Sequence, residues 1–204
     1  MRKIFIIFFV LIAFSTIISC GSGNNIKPNI VWLVAEDQSQ YFFPFYGDNS
    51  VTLPNISQLL ENGIVYDGMN SPYPVCAPAR SAIITGMYPN SIGTGNQRAY
   101  NYNRTVRTDN ESILGFPYYS SKLAEQIKPF TQILRENGYY TTNNSKMDYN
   151  FKLREDAWDE SSKEASWEKR NKDQPFFSVF NFGVTHESQI WLRNKQELKV
   201  DPND

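Results

Sequence analysis

Two short apolar runs frame this chain, Asn29–Ala35 (NIVWLVA) and Phe176–Phe182 (FFSVFNF). Both are rich in β-branched or aromatic residues and too short for an ordinary helix. They are expected to be strands buried on both faces of a parallel sheet. Helix signals lie between them. Pro54–Asn62 opens on a proline, sets Ile56, Leu59 and Leu60 on one face and stops at Gly63. Pro78–Thr85 ends at Gly86, and Phe130–Asn137 ends at Gly138. Ile64–Asp67 and Tyr139–Thr142 are further strand candidates. Ser162–Lys172 is charged, with Ala165 and Trp167 as its apolar contacts, and reads as an exposed helix. Asn101–Lys122 is polar and irregular, as in a long surface loop. Strands alternating with helices predict an α/β fold with a mainly parallel sheet, and no internal repeat is visible. Leu198–Asp204 (LKVDPND) supplies no apolar closing element. The sheet is therefore expected to be incomplete at the C-terminus, with the chain a fragment of a larger domain.

The first twenty residues are of a different kind. Arg2 and Lys3 precede an unbroken apolar run, Ile4–Ala13, and Phe14–Ile18 is interrupted only by Ser15 and Thr16. This is the pattern of a secretory signal, too short and wrongly flanked for a membrane span. Ile17-Ile18-Ser19-Cys20 then resembles a bacterial lipobox, which implies cleavage before Cys20 and lipidation of its sulfur. A polar, glycine-rich stretch follows, as a tether would. The expected organisation is a lipoprotein signal peptide over 1–19, a tether over 20–26 and a catalytic portion over 27–204. The mature protein would be exported, periplasmic or on the cell surface, and anchored to a membrane by lipid without spanning it. An ordinary signal peptide with an incidental cysteine is the other reading. If Cys20 carries lipid, the second of the two cysteines, Cys76, has no intramolecular partner. A lone thiol in an oxidising compartment should be buried, reactive or converted.

Hydrophobic residues make up 41% of the chain and aromatics 15%, as in a globular protein. The formal net charge is -1, and the basic residues form no block, which argues against a nucleic-acid partner.

In open α/β sheets, ligands bind beyond the carboxyl ends of the strands. Glu36-Asp37, Asn144–Asp148 and Thr185-His186-Glu187 all fall where strands should end. Cys76–Arg80 falls at a helix start, where free N–H groups and the positive end of the dipole favour an anion. Together these clusters point to an anion-handling site.

The segment Cys76-Ala77-Pro78-Ala79-Arg80 resembles the Cys-x-Pro-x-Arg motif of the type I sulfatases. Pro74-Val75 before it and Ser81-Ala82-Ile83-Ile84-Thr85-Gly86-Met87-Tyr88-Pro89 after it agree as well. Pro and Arg at both offsets would follow a given Cys by chance roughly once in 400, taking each residue at about 5%. Lys27-Pro28-Asn29-Ile30, the acidic pair and Pro54-Asn55 extend the resemblance, which covers almost all of Lys27–Gln189. Glu36-Asp37, Ser91-Ile92-Gly93-Thr94, Lys146-Met147-Asp148-Tyr149-Asn150-Phe151 and Thr185-His186-Glu187-Ser188-Gln189 are most similar to bacterial sulfatases akin to N-sulfoglucosamine sulfohydrolases.

The resemblance implies an alkaline-phosphatase-like fold and removal of sulfate from a sulfated carbohydrate. It implies that a formylglycine-generating or equivalent sulfatase-maturing enzyme oxidises Cys76 while the chain is unfolded. The aldehyde hydrate supplies the hydroxyl that attacks sulfur, and its second hydroxyl expels sulfate. Ca²⁺ is the implied metal, held by Glu36, Asp37 and the converted Cys76, with Glu36 standing where the family usually has Asp. Arg80 would steady the hydrate and the metal carboxylates. Lys146 matches a sulfate-binding lysine. His186, the one histidine in the sequence, matches a residue that contacts sulfate or protonates the leaving oxygen. Glu187 could assist, and Arg98 could face a substrate anion. Two departures stand out. Asp148 occupies the position where the family usually has a histidine two residues after the lysine. The family's second metal pair and a further sulfate-binding lysine have no counterpart here, so residues 21–204 alone are expected to bind metal weakly and to be inactive.

Two other readings remain open. A phosphoryl-transfer relative of the same superfold would place Ser or Thr at position 76 and use several histidines for zinc. A non-catalytic glycan-binding lipoprotein or degenerate enzyme would leave Cys76 unmodified and need no calcium.

Overall fold

The computed structural model describes residues 26–96 and 121–189. The signal and lipidation segment with Cys20, the residues before 26 of the tether, Arg98, the loop before Ser121 and Leu198–Asp204 lie outside the described residues.

Among the described residues four parallel strands form one sheet: β1 (Ile30–Ala35), β2 (Tyr140–Asn144), β3 (Glu160–Ser161) and β4 (Phe176–Phe182), in the order β1-β4-β2-β3. Strand β4 pairs with β1 on one side, with Ile30 opposite Phe177, and with β2 on the other, with Tyr140 opposite Phe176. Its enclosed position explains why its sequence is nearly continuous in apolar residues. Among the described residues three helices accompany the sheet: α1 (Pro54–Glu61), α2 (Cys76–Thr85) and α3 (Phe130–Glu136). Pro54 occupies the first turn of α1, where its missing N–H costs nothing. Helix α2 ends at Gly86, whose φ of 67° is a left-handed cap that a side chain would disfavour. The predicted start of α2 moves back two residues, so that Cys76 itself opens the helix.

The core gathers on the helix-bearing face of the sheet. Alternation along β4 sends Phe177, Val179 and Asn181 to this face. Phe177, 1% exposed, lies edge-on to Trp32 at 5.0 Å and to Phe130 at 5.2 Å, and it stacks on Trp158 at 6.2 Å. Ile84 of α2 and Leu134 of α3 complete the cluster. On the opposite face, Thr142 Oγ1 donates to Ser178 Oγ at 2.7 Å, and Trp167 stacks on Phe176 at 5.0 Å.

Three local expectations are corrected. Ile64–Asp67 is not a strand: it finds no ladder partner among the described residues, and Ile64 and Tyr66 are exposed. Ser162–Lys172 is not a helix but a turn with a short 3₁₀ segment, Trp167–Lys169. Tertiary contacts override its helical composition: Ala165 is fully buried, Asn144 Nδ2 donates to the carbonyls of Lys163 and Ala165, and Trp167 packs on β4. Strand β1 is also less buried than its sequence implies. Among the described residues it pairs with β4 alone, and Val31 (45%) and Leu33 (57%) face outward without cover.

Candidate active site

The carboxyl ends of β1, β2 and β4 meet the amino end of α2. Glu36 and Asp37 follow β1 directly. Glu36 N–H donates to the carbonyl of Phe182 at 3.1 Å, and the Thr185 hydroxyl donates to the carbonyl of Glu36. These bonds tie the ends of β1 and β4 together. Asp37 has φ 58°, a left-handed conformation that Asp tolerates better than most residues. Its Oδ2 accepts from the Glu187 N–H at 3.2 Å and lies 3.6 Å from His186 Nε2.

The backbone N–H of Ser188 donates to His186 Nδ1 at 3.1 Å. Nδ1 is therefore an acceptor, and in the neutral ring the proton sits on Nε2, facing the Asp37 carboxylate. His186 thus presents a proton to the site rather than a lone pair.

Cys76 is a half-buried free thiol at the first position of α2. Helix geometry leaves the N–H groups of Cys76 and Ala77 without partners within the helix, and Pro78 has no N–H to satisfy. Ligand atoms of Glu36, Asp37, Cys76 and His186 all lie within 4.8 Å of one another. They open onto a cavity of about 650 Å³, also lined by Arg80 and Glu187.

Arg80 lies one turn along α2. Its Nη2 donates to Asn181 Oδ1 at 2.8 Å and its Nη1 to the carbonyl of Lys146 at 3.3 Å. Asn181 Nδ2 in turn donates to Asn143 Oδ1 at 3.0 Å and to the carbonyl of Asn144 at 3.1 Å. The guanidinium is thereby pinned between helix and sheet. Burial lowers its pKa from the ordinary value, while the charges of Tyr149, Asp148 and Cys76 oppose that shift. Lys146 pairs with Glu36 Oε1 and lies 3.9 Å from Asp148 Oδ2. Desolvation lowers its pKa too, with Asp148 opposing. Lys146 is not among the residues lining the cavity and meets it through Glu36. Burial pushes the Tyr149 hydroxyl, which also borders the cavity, up to about 12.

The structure therefore brings together Glu36, Asp37, Cys76, Arg80, Lys146 and His186, with Glu187 beside them. Sequence reasoning missed Asn181, Asn143 and Tyr149. For Asn181 a signal existed: a polar residue near the carboxyl end of an otherwise apolar strand, where ligands are met. Tyr149 lay inside a motif already singled out but was given no role.

The family model described as Sulfatase matches residues 28–199. A protein of Formosa agariphila named ulvan-active sulfatase is 46% identical over 165 residues, 81% of this chain and 26% of that protein. Arylsulfatase H of Homo sapiens is 36% identical over 118 residues, 58% of this chain and 19% of that protein. The chain thus spans about a quarter or less of these relatives' length. A protein solved in complex with its substrate D-glucosamine-2-N,6-O-disulfate superposes with a TM-score of 0.57 at 16% identity, over 80% of this chain and 35% of that one. A 2-O GAG sulfatase gives 0.55 at 15% identity, over 86% and 40%. At these identities the likeness to the solved structures is one of fold.

Proposed function

The chain belongs to the sulfatase family, and from that premise we propose that the protein hydrolyses sulfate esters of a sulfated carbohydrate through an oxidised Cys76. The observation that carries this reading is the convergence of Glu36, Asp37, Cys76 and His186 within 4.8 Å at the amino end of α2. The substrate class is supported by the Formosa relative named for ulvan and by the structural neighbour solved with a disulfated glucosamine.

Donor chemistry decides which cation these residues fit. Adjacent carboxylates on Glu36 and Asp37 offer hard oxygen atoms, as Ca²⁺ requires. The Cys76 thiol is a soft donor and joins such a set only once oxygen replaces its sulfur. Ca²⁺ takes about six to eight oxygens, so these residues would hold one part of its shell. Bound there, it would supply positive charge against the charge that develops on the sulfate oxygens. Oxidation of Cys76 to formylglycine by a maturing enzyme supplies, on hydration, the hydroxyl that attacks sulfur.

The chain's own residues do the rest. The start of α2 favours the anion that this attack creates. Arg80, fixed by Asn181, holds a permanent charge one turn away without having to reorganise. His186 keeps a proton on Nε2, from which a departing alcohol oxygen could be protonated. Asp37 orients that ring, and Lys146 adds positive charge behind Glu36. Export and lipid anchoring at Cys20 belong to the same proposal and rest on the sequence pattern of residues 1–25. C20S should release the protein from the membrane fraction.

The test is the mass of the Cys76 peptide from protein isolated from its native host. Conversion lowers that mass and makes the peptide reactive toward carbonyl reagents. An intact thiol, with a maturing enzyme shown to be present, removes the nucleophile and overturns the mechanism.

A further inference from the structure

A row of polar side chains crosses the helix-bearing face of the sheet. Asn143 of β2 stands opposite Ser161 of β3 and Val179 of β4, and Asn181 follows Val179 by two residues, so Ser161, Asn143 and Asn181 share that face. Asn143 is 1% exposed. An amide buried this deeply costs free energy unless its polar atoms are paired. Packing alone would be served by an aliphatic side chain.

The bonds along this row all run in one direction. Arg80 Nη2 donates to Asn181 Oδ1 at 2.8 Å, Asn181 Nδ2 donates to Asn143 Oδ1 at 3.0 Å, and Asn143 Nδ2 donates to Ser161 Oγ at 3.0 Å. Asn181 Nδ2 also donates to the carbonyl of Asn144 at 3.1 Å, so both of its hydrogens are used and its oxygen is turned to Arg80. Turning that amide over would set N–H against N–H at Arg80 and oxygen against oxygen at Asn143 and Asn144. Each amide thus fixes the orientation of the other, and each presents its negative end toward the guanidinium.

Arg80 is received by uncharged oxygens, Asn181 Oδ1 and the Lys146 carbonyl. A carboxylate at position 181 would grip the guanidinium as firmly but would cancel much of its charge toward an anion. Amides hold it and leave that charge in place on the wall of the cavity that Cys76 also lines.

We propose that Asn143 is a positioning residue: through Asn181 it aims the Arg80 guanidinium at the anion that binds beside Cys76, without neutralising it. The inference rests on the reading of Arg80 as an anion-holding group.

The experiment is calorimetric titration of inorganic sulfate into the full-length protein, comparing N143A, N181A, R80M and the N143A/N181A double variant with the parent. N143A should weaken sulfate binding by about three- to tenfold in the parent and by less than about twofold in the N181A background, where the path to Arg80 is already cut. N143S, whose hydroxyl stops short of Asn181, breaks the relay while keeping a polar group in the strand, and should give the same pattern if N143A does not fold. Equal weakening in both backgrounds would mean that Asn143 acts on the anion directly from the cavity wall, and would overturn the relay. No weakening in the parent, with only a lower melting temperature, would make Asn143 a structural residue and overturn it too. If R80M abolishes sulfate binding while N143A and N143S change nothing, the anion site stands and the relay alone fails. If R80M leaves sulfate binding unchanged, or the unaltered protein takes up no sulfate, the relay and the reading of Arg80 fall together.

Discussion

Strand β4 is enclosed from Phe176 to Val179, whereas its carboxyl end, Asn181 and Phe182, and the turn that follows to His186 are more open and carry polar groups of the site. In the first half, Phe177 is gripped by Trp32, Phe130 and Trp158. In the second, almost every group is held by a hydrogen bond to another element: Arg80 to Asn181, Glu36 to Phe182, Thr185 to Glu36. Packing tolerates small adjustments at many contacts at once, whereas these polar bonds fix orientation one by one. The same strand therefore carries the fold's stability at one end and the alignment of its chemistry at the other. Substitutions at the two ends should separate these properties.

The largest expected effect is functional. C76A should reduce sulfatase activity of the full-length protein by more than about 10⁴-fold, while thermal melting moves by no more than about 2 °C. A large drop in melting temperature would break the separation. At the other end, F177A should cost about 3–5 kcal/mol in denaturant unfolding, as loss of a packed aromatic does; a loss under about 1 kcal/mol would show that the core lies elsewhere. D37N should weaken Ca²⁺ binding by at least the ~10- to 100-fold that follows loss of even an outer partner, with unfolding in the absence of metal unchanged. The smallest effect sharpens the comparison on the opposite face. T142V leaves Ser178 Oγ without its donor and should cost about 1–2 kcal/mol, whereas T142V with S178A, which removes both partners, should recover most of that loss.

How far each part was legible follows from where its determinants lie in the chain. Helix α2 carries its own signals, from Cys76 and Pro78 at the start to Gly86 at the end, and could be read from ten residues. Strand β4 was legible for the same reason. The segment Ser162–Lys172 was not, because its charged, helix-compatible composition is overruled by Asn144 and by the ring stack of Trp167 on Phe176. Ile64–Asp67 had the composition of a strand but, among the described residues, no neighbour to pair with. Of the site, the acidic pair, the cysteine motif, Lys146 and His186 were visible because each sits where a strand ends or a helix begins. Asn181 was not, because its meaning depends on Arg80, 101 residues earlier. Asp148 was visible only as a departure; its place beside Lys146 required the fold.

The strand order has a consequence in time. Strands β1 and β2 do not touch; each pairs with β4, which follows both in sequence. During synthesis, neither the sheet nor the Arg80–Asn181 bond can close until β4 has been made. At about 5–20 residues per second, the 101 residues between Arg80 and Asn181 take roughly 5 to 20 s to emerge. For that interval the Cys76–Arg80 segment is not yet locked to the sheet, and the maturing enzyme proposed above could still reach it. Late arrival of the central strand would set a delay in which the proposed oxidation of Cys76 could be completed.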